Sequence, residues 1–377
     1  MRRHEDHSGV QEYGCALALS VMSGNDELIE KLVVAGGIER IVTAMRLHPR
    51  HTGIQEQGCG AVWNFLSSRH HKNNKAMFEE NGGIDCLVAA MENFQHDPNV
   101  QEQACGAVWN FLSGKSSRQK AAFTEAGGME CLVGAMKFHC DHERVQEYAC
   151  GAALRLMAGN ERSVTTFTEC GGIQAAIGAM VLHNDCAPVL LQALGVAWHF
   201  MRDTKDLCTT VISESQALTL DSPEEAGIEC MIHPDGKKAL DPEESKDDVT
   251  GNKIVVSVCN DRREAFATAG GMNCIIHAMQ RHGLEDADVL EQCFRAGIHF
   301  FSDSPDLKVA FARADGVQCI VDGMQKFAED KMIQELGCEA LLSLSIVDGI
   351  FQGLDACDVL SVLQAAKSRF QSSQEKA

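Results

Sequence analysis

Gln57 and Asn64 lie seven residues apart, and the pair returns as Gln103 and Asn110 within two near-copies, IQEQGCGAVWNFLSS (Ile54–Ser68) and VQEQACGAVWNFLSG (Val100–Gly114). Seven residues make about two turns of an α-helix, so both amides of a pair share one face. A primary amide offers a donor and an acceptor together, which matches the N–H and C=O of an extended peptide backbone. That is the chemistry of recognition, not of bond making. Apolar letters alone could be repeated to build a core; repeating the polar ones points to a face that meets something.

Other reactive types carry less. No glycine-rich phosphate loop, nucleophile elbow or zinc-protease motif occurs, so no catalytic residue and no cofactor are expected. HCDHE (His139–Glu143) gathers metal-ligand types, but its histidine recurs as His48, His183 and His282, each where a helix C-terminus favours a cation. No metal site is expected there. RHHKNN (residues 69–74) reads as a polar turn. The 17 cysteines recur in columns, Cys15, Cys59, Cys105, Cys150 and Cys338 in one, Cys86, Cys131, Cys274 and Cys319 in another. Recurrence of a small hydrophobe at one helical position is a packing signal, and no pair has zinc-ligand spacing.

The elements behind the amides are periodic. Val10, Ile54, Val100, Val145, Val189, Val289 and Ile333 open successive copies of the motif, at steps of 44, 46, 45, 44, 100 and 44 residues. A glycine pair keeps the same period at Gly36, Gly82, Gly127, Gly171 and Gly270, with Asp315-Gly316 as a variant. Each unit reads as three helical pieces: a short one ending in the glycines, an amphipathic one such as MECLVGAMKFH, and the quoted motif. With 45% hydrophobic residues but few aromatics and 7 prolines, the composition fits helices packed by small and aliphatic side chains. On a wheel of about 100° per residue, Cys59, Val62 and Leu66 lie opposite Asn64, while Gln57 and Gly60 share its face.

GGIDCLVAAM and CGAVWNFL, at this period and with three helices per unit, resemble the armadillo repeat from about Val10 to Val347. The resemblance implies an all-α, right-handed α-solenoid (superhelix) of units of about 44 residues, with third helices lining a concave groove. It also implies that Asn64 and Asn110 hold the backbone of a partner peptide. Along the array that column reads Ser20, Asn64, Asn110, Arg155, His199, His299 and Ser343; seven residues earlier it reads Tyr13, Gln57, Gln103, Tyr148, Gln192, Gln292 and Leu336. Arg155, His199 and His299 depart from the family pattern and suit carboxylates. The tryptophan slots by which import adaptors hold lysine stems are missing: that column is mostly glycine (Gly60, Gly106, Gly151, Gly195), a smooth floor that a helix or strand could approach. Trp63, Trp109 and Trp198 lie beside the asparagine column and are expected to pack between repeats.

The expected organisation is a third helix alone at 1–24, four regular repeats at 25–202, an acidic insertion or degenerate repeat at 203–260, two repeats at 261–347, and a capping helix with a polar tail at 348–377. The insertion carries 13 acidic and 5 basic residues, net −8. The whole chain has a formal net charge of −20, which opposes nucleic acid and anionic membranes and favours basic peptides. No apolar stretch approaches the roughly 20 residues of a membrane helix, and the N-terminus lacks a signal-peptide core, so a cytosolic or nuclear location is expected. The leading function is a non-catalytic scaffold or adaptor for a protein or peptide ligand. A carrier of basic peptides and the regulatory arm of a larger protein are the alternatives, with the oligomeric state open.

Overall fold

The glycine pairs explain how each unit turns its first corner. The leading glycine, φ 72° at Gly36 and 76° at Gly82, takes the left-handed conformation that ends one helix and starts the next. Its neighbour is glycine for a different reason: a Cβ on Gly83 or Gly128 would sit 2.1 Å from the ring of Phe78 or Phe123. Those fully buried phenyl rings pack flat against bare backbone and fasten the first helix to the second.

A computed structural model describes residues 1–68, 71–114, 116–202, 210–211, 258–259, 262–302, 304–347, 350 and 359–365. Helix α1 (Ser8–Met22) is followed by four triplets: α2 (Asp26–Val34), α3 (Gly37–Leu47) and α4 (Thr52–Ser67); α5 (His71–Glu80), α6 (Gly83–Asn93) and α7 (Pro98–Phe111); α8 (Ser117–Glu125), α9 (Gly128–Phe138) and α10 (Glu143–Met157); α11 (Glu161–Glu169), α12 (Gly172–Leu182) and α13 (Ala187–Arg202). Two more are α14 (Arg262–Thr268), α15 (Gly271–His282) and α16 (Ala287–Phe301), then α17 (Pro305–Arg313), α18 (Gly316–Lys326) and α19 (Lys331–Ser345). A last short helix covers 359–365 and buries Val359 and Val362. Third helices stack on third helices in the order α1, α4, α7, α10, α13, α16, α19. The core is one continuous cluster that contains Cys15, Cys59, Cys105 and Cys150, all free thiols of 0% exposure.

Two readings change. The chain does not open directly in a third helix: a 3-10 turn at Arg2–His4 precedes it, and the side chain of Gln11 donates to the carbonyls of Met1 and His4. Gln55 donates in the same way to Met45 and His48, so Met1–His4 stands in for the last turn of a second helix. RHHKNN is not wholly a turn, because α5 begins at His71 and Asn74 is buried with its amide on the carbonyl of Phe65. Helix α13 packs directly on α16. Apart from the two-residue antiparallel pair β1 (Thr210–Val211) and β2 (Val258–Cys259), the 203–260 insertion lies outside the described residues.

The second helices end on buried glutamines. Gln55, Gln101, Gln146 and Gln334 each lie nine residues before the asparagine column and donate to two carbonyls of the preceding helix end, at 2.7–3.1 Å. Carbonyls that lack a helical partner are satisfied there. Histidines do the same between repeats: Nε2 of His48, His139 and His183 meets the carbonyls of Glu5, Gln95 and Cys140 at 2.7, 2.9 and 2.7 Å. His142, at the other end of HCDHE, caps α10 through Nδ1. Both histidines of that motif therefore have structural duties.

Candidate functional site

Gln57, Asn64, Gln103, Asn110, Tyr148, Arg155, Gln192, His199, Gln292 and His299 all lie on third helices and all are partly exposed. Consecutive repeats bring them into rows because each third helix presents the same turn to the same side.

The asparagine column is already engaged on one side. Asn64 Nδ2 donates to the carbonyl of Leu19 at 3.0 Å, and Asn110 Nδ2 to that of Trp63 at 3.4 Å. Arg155 continues the pattern, its Nη1 donating to the carbonyl of Trp109 at 2.9 Å. Each amide keeps its second N–H and its Oδ1, with no further partner among the described residues. The column thus joins adjacent repeats and still offers a donor and an acceptor outward.

The glycine column is not an open floor. A Cβ on Gly106 would lie 2.7 Å from the Trp63 ring, one on Gly151 would lie 3.0 Å from Trp109, and one on Gly195 would lie 2.7 Å from Leu154. Each glycine receives a large side chain from the preceding repeat, while Gly60 meets Gln103 Oε1 and Leu19. The expected smooth approach for a ligand is filled from within, and the tryptophans occupy it. Tyr148 closes this patch, with its ring centroid 4.9 Å from Trp63 and 5.6 Å from Trp109. Further along, Trp198 Nε1 donates to Gln292 Oε1 at 3.2 Å and its ring stacks on His299 with centroids 5.7 Å apart.

Electrostatics separate Arg155 from the histidines. Burial lowers its pKa, but arginine still carries its charge at neutral pH. Burial, then the charges of Arg202 and Lys120, push the imidazole of His199 down to about 4. Burial and Arg202 likewise lower His299. His199 is therefore neutral at pH 7, not the cation its place in the column suggested. A cleft of about 530 Å³ opens here, lined among others by Arg155, Gln192, Trp198, His199 and Gln292.

Sequence reasoning missed Lys75 and Lys120. Both are buried on first helices, seven residues before a glycine pair, and each reaches the C-terminal end of the third helix of its own unit. Lys75 Nζ donates to the carbonyl of Ser113 and, at 2.6 Å, to its Oγ; Lys120 Nζ donates to the carbonyl of Ala158 at 2.5 Å. A cation is favoured at that end of a helix. The recurrence of the two lysines at one offset was the available signal. Among the described residues, no group of three or more metal-ligand side chains converges, and no helix is long and apolar enough to cross a membrane.

No family model matches the chain, and no curated protein matches it. Solved structures do. One designed armadillo repeat protein is similar at a TM-score of 0.52 and 15% identity, over 77% of this chain and 92% of that one. Another, in complex with the peptide (KR)4, is similar at a TM-score of 0.50 and 17% identity, over 76% and 91%. A third belongs to computationally designed armadillo repeat proteins for modular peptide recognition, with a TM-score of 0.51 and 15% identity over 76% and 91%. At such identities the likeness is one of architecture: the chain has the all-α, right-handed solenoid fold of armadillo repeat proteins.

Proposed function

We propose that the chain is a non-catalytic interaction scaffold whose third helices form a groove for an extended or helical segment of a partner protein. The observation that carries this reading is the register of Asn64 and Asn110, two partly exposed amides on adjacent helices, each with a donor and an acceptor free beyond its bond to the preceding repeat. Backbone recognition of that kind is weak per contact and gains from several repeats acting together. The designed neighbours made for peptide recognition support a groove used in this manner.

A basic ligand is the second reading, favoured by the net charge of −20 and by the (KR)4 peptide bound to one neighbour. Against it stands the column where lysine stems would need aromatic walls, which is glycine packed by residues of the preceding repeat. The test is capture of partners by the full chain with crosslinking, compared with Asn64→Ala and Asn110→Ala. Loss of capture with an unchanged helical spectrum supports the groove; full capture by the double variant removes it.

A further inference from the structure

The chain is strongly acidic overall, yet the C-terminal ends of three successive third helices carry cations. Lys75 is fixed on Ser113 beyond α7, and Lys120 on Ala158 beyond α10. Arg155 is held by the carbonyl of Trp109, with its guanidinium 5.1 Å from that indole's centroid. Arg202, the exposed last residue of α13, lies 5.7 Å from the Trp198 ring centroid. Like charges act on one another along this row: Arg155 on Lys75, and Arg202 and Lys120 on His199. Among the described residues, none of the four cations has a carboxylate partner, although other basic side chains do, as in Arg118–Glu79 and Arg281–Asp185. Carbonyls and ring faces orient these cations without neutralising them.

We infer that this edge of the groove receives the carboxylates of an extended acidic segment of a partner protein, an inference that rests on the groove reading above. Packed helices lie about 8–10 Å apart, so three helix ends span about 16–20 Å. An extended chain rises about 3.3 Å per residue, so five or six residues cover that span, and alternate side chains point to one side. Acidic residues two or three positions apart therefore match Arg155, partly exposed on α10, and Arg202, exposed at the end of α13, while buried Lys75 and Lys120 add positive charge behind them. The cleft beside Arg155 and His199 gives room for the chain, while Asp288 and Glu291 on its far wall confine carboxylates to the α7–α13 side. Local charge, not the net charge of −20, sets this preference, because a desolvated cation a few ångströms away outweighs a screened field.

The test uses the full chain and three labelled hexapeptides read by fluorescence anisotropy: Glu-Ser-Glu-Ser-Glu-Ser, and the same peptide with Gln or with Lys in place of Glu. The glutamate peptide is expected to bind about tenfold more tightly than either of the others. Arg155→Gln should weaken it about tenfold, the loss of one charge-assisted contact. Arg202→Gln, at an exposed site where packing is untouched, should weaken it about threefold. The inference is overturned if the lysine peptide binds as tightly as the glutamate one, if the glutamate peptide does not bind, or if neither variant affects it. A glutamine peptide that binds equally well, and loses its binding in Asn64→Ala, would leave the groove standing and remove its charge preference.

Discussion

Two glutamines of one motif, Gln101 and Gln103, should behave as opposites. Gln101 is 1% exposed, and its Nε2 donates to the carbonyls of Met91 and Phe94 at 2.8 and 3.0 Å. Gln101→Ala removes two hydrogen bonds, leaves the carbonyl of Met91 at the end of α6 unpaired while that of Phe94 keeps the Asp97 N–H, and opens a small void. A buried acceptor left without a partner costs about 1–3 kcal/mol, and the void adds to that. The expected loss is about 3 kcal/mol. Gln101→Leu restores volume but not donors and should keep most of the loss. Leu190 and Leu290 at the matching positions show that the shape is tolerated. Gln103→Ala, on the partly exposed face, should change stability by less than about 0.5 kcal/mol. Urea unfolding followed by tryptophan fluorescence measures the difference. Stacked repeats need not unfold in one step, so hydrogen exchange of α6 and α7 amides supplies the local reading. Equal effects of the two alanines, or a Gln101→Ala loss under about 1 kcal/mol, would refute the assignment of this column as the fastening of second helices.

Gly106→Ala and Gly134→Ala should differ in sign. The first pushes a methyl into the Trp63 ring and should destabilise by about 1 kcal/mol or more while shifting tryptophan emission. The second, in α9, meets nothing within 4 Å and should stabilise by about 0.5–1 kcal/mol through helix propensity alone; thermal unfolding of both checks the contrast. For pH, the depressed pKa of His199 means that its neutral form is favoured by folding. Its contribution is complete above the ordinary histidine value of about 6.5 and is lost as pH falls toward 4, on the order of 1–2 kcal/mol after allowance for partial exposure. His199→Gln should flatten the stability profile between those pH values, and an unchanged slope would contradict it.

The repeat, its three helices and its cysteine columns were legible because burial repeats faithfully along a solenoid and glycine marks each corner. The groove residues were legible as a face, since Gln57 and Asn64 lie close together on a helical wheel. Gln55 went unread although the same wheel places it opposite Asn64, on the core side, where a polar residue must find partners. The glycine column was misread for a reason internal to one helix: only the next unit reveals that Trp63 fills the space over Gly106. Lys75 looks like a solvated charge until the third helix of its own unit folds back and brings Ser113 to it. Sequence within a unit fixes angles; contacts between units need the stack.

Six bonds between units share one property with a wider consequence. Asn64, Asn110, Arg155, His48, His139 and His183 all end on main-chain carbonyls, belonging in turn to Leu19, Trp63, Trp109, Glu5, Gln95 and Cys140. An acceptor that every amino acid carries places no demand on the identity of the neighbour. For these six couplings a duplicated module would arrive complete, and the residues that supply the accepting carbonyls could drift without loosening the joints. The array is thus built to be lengthened, shortened or rewritten one segment at a time.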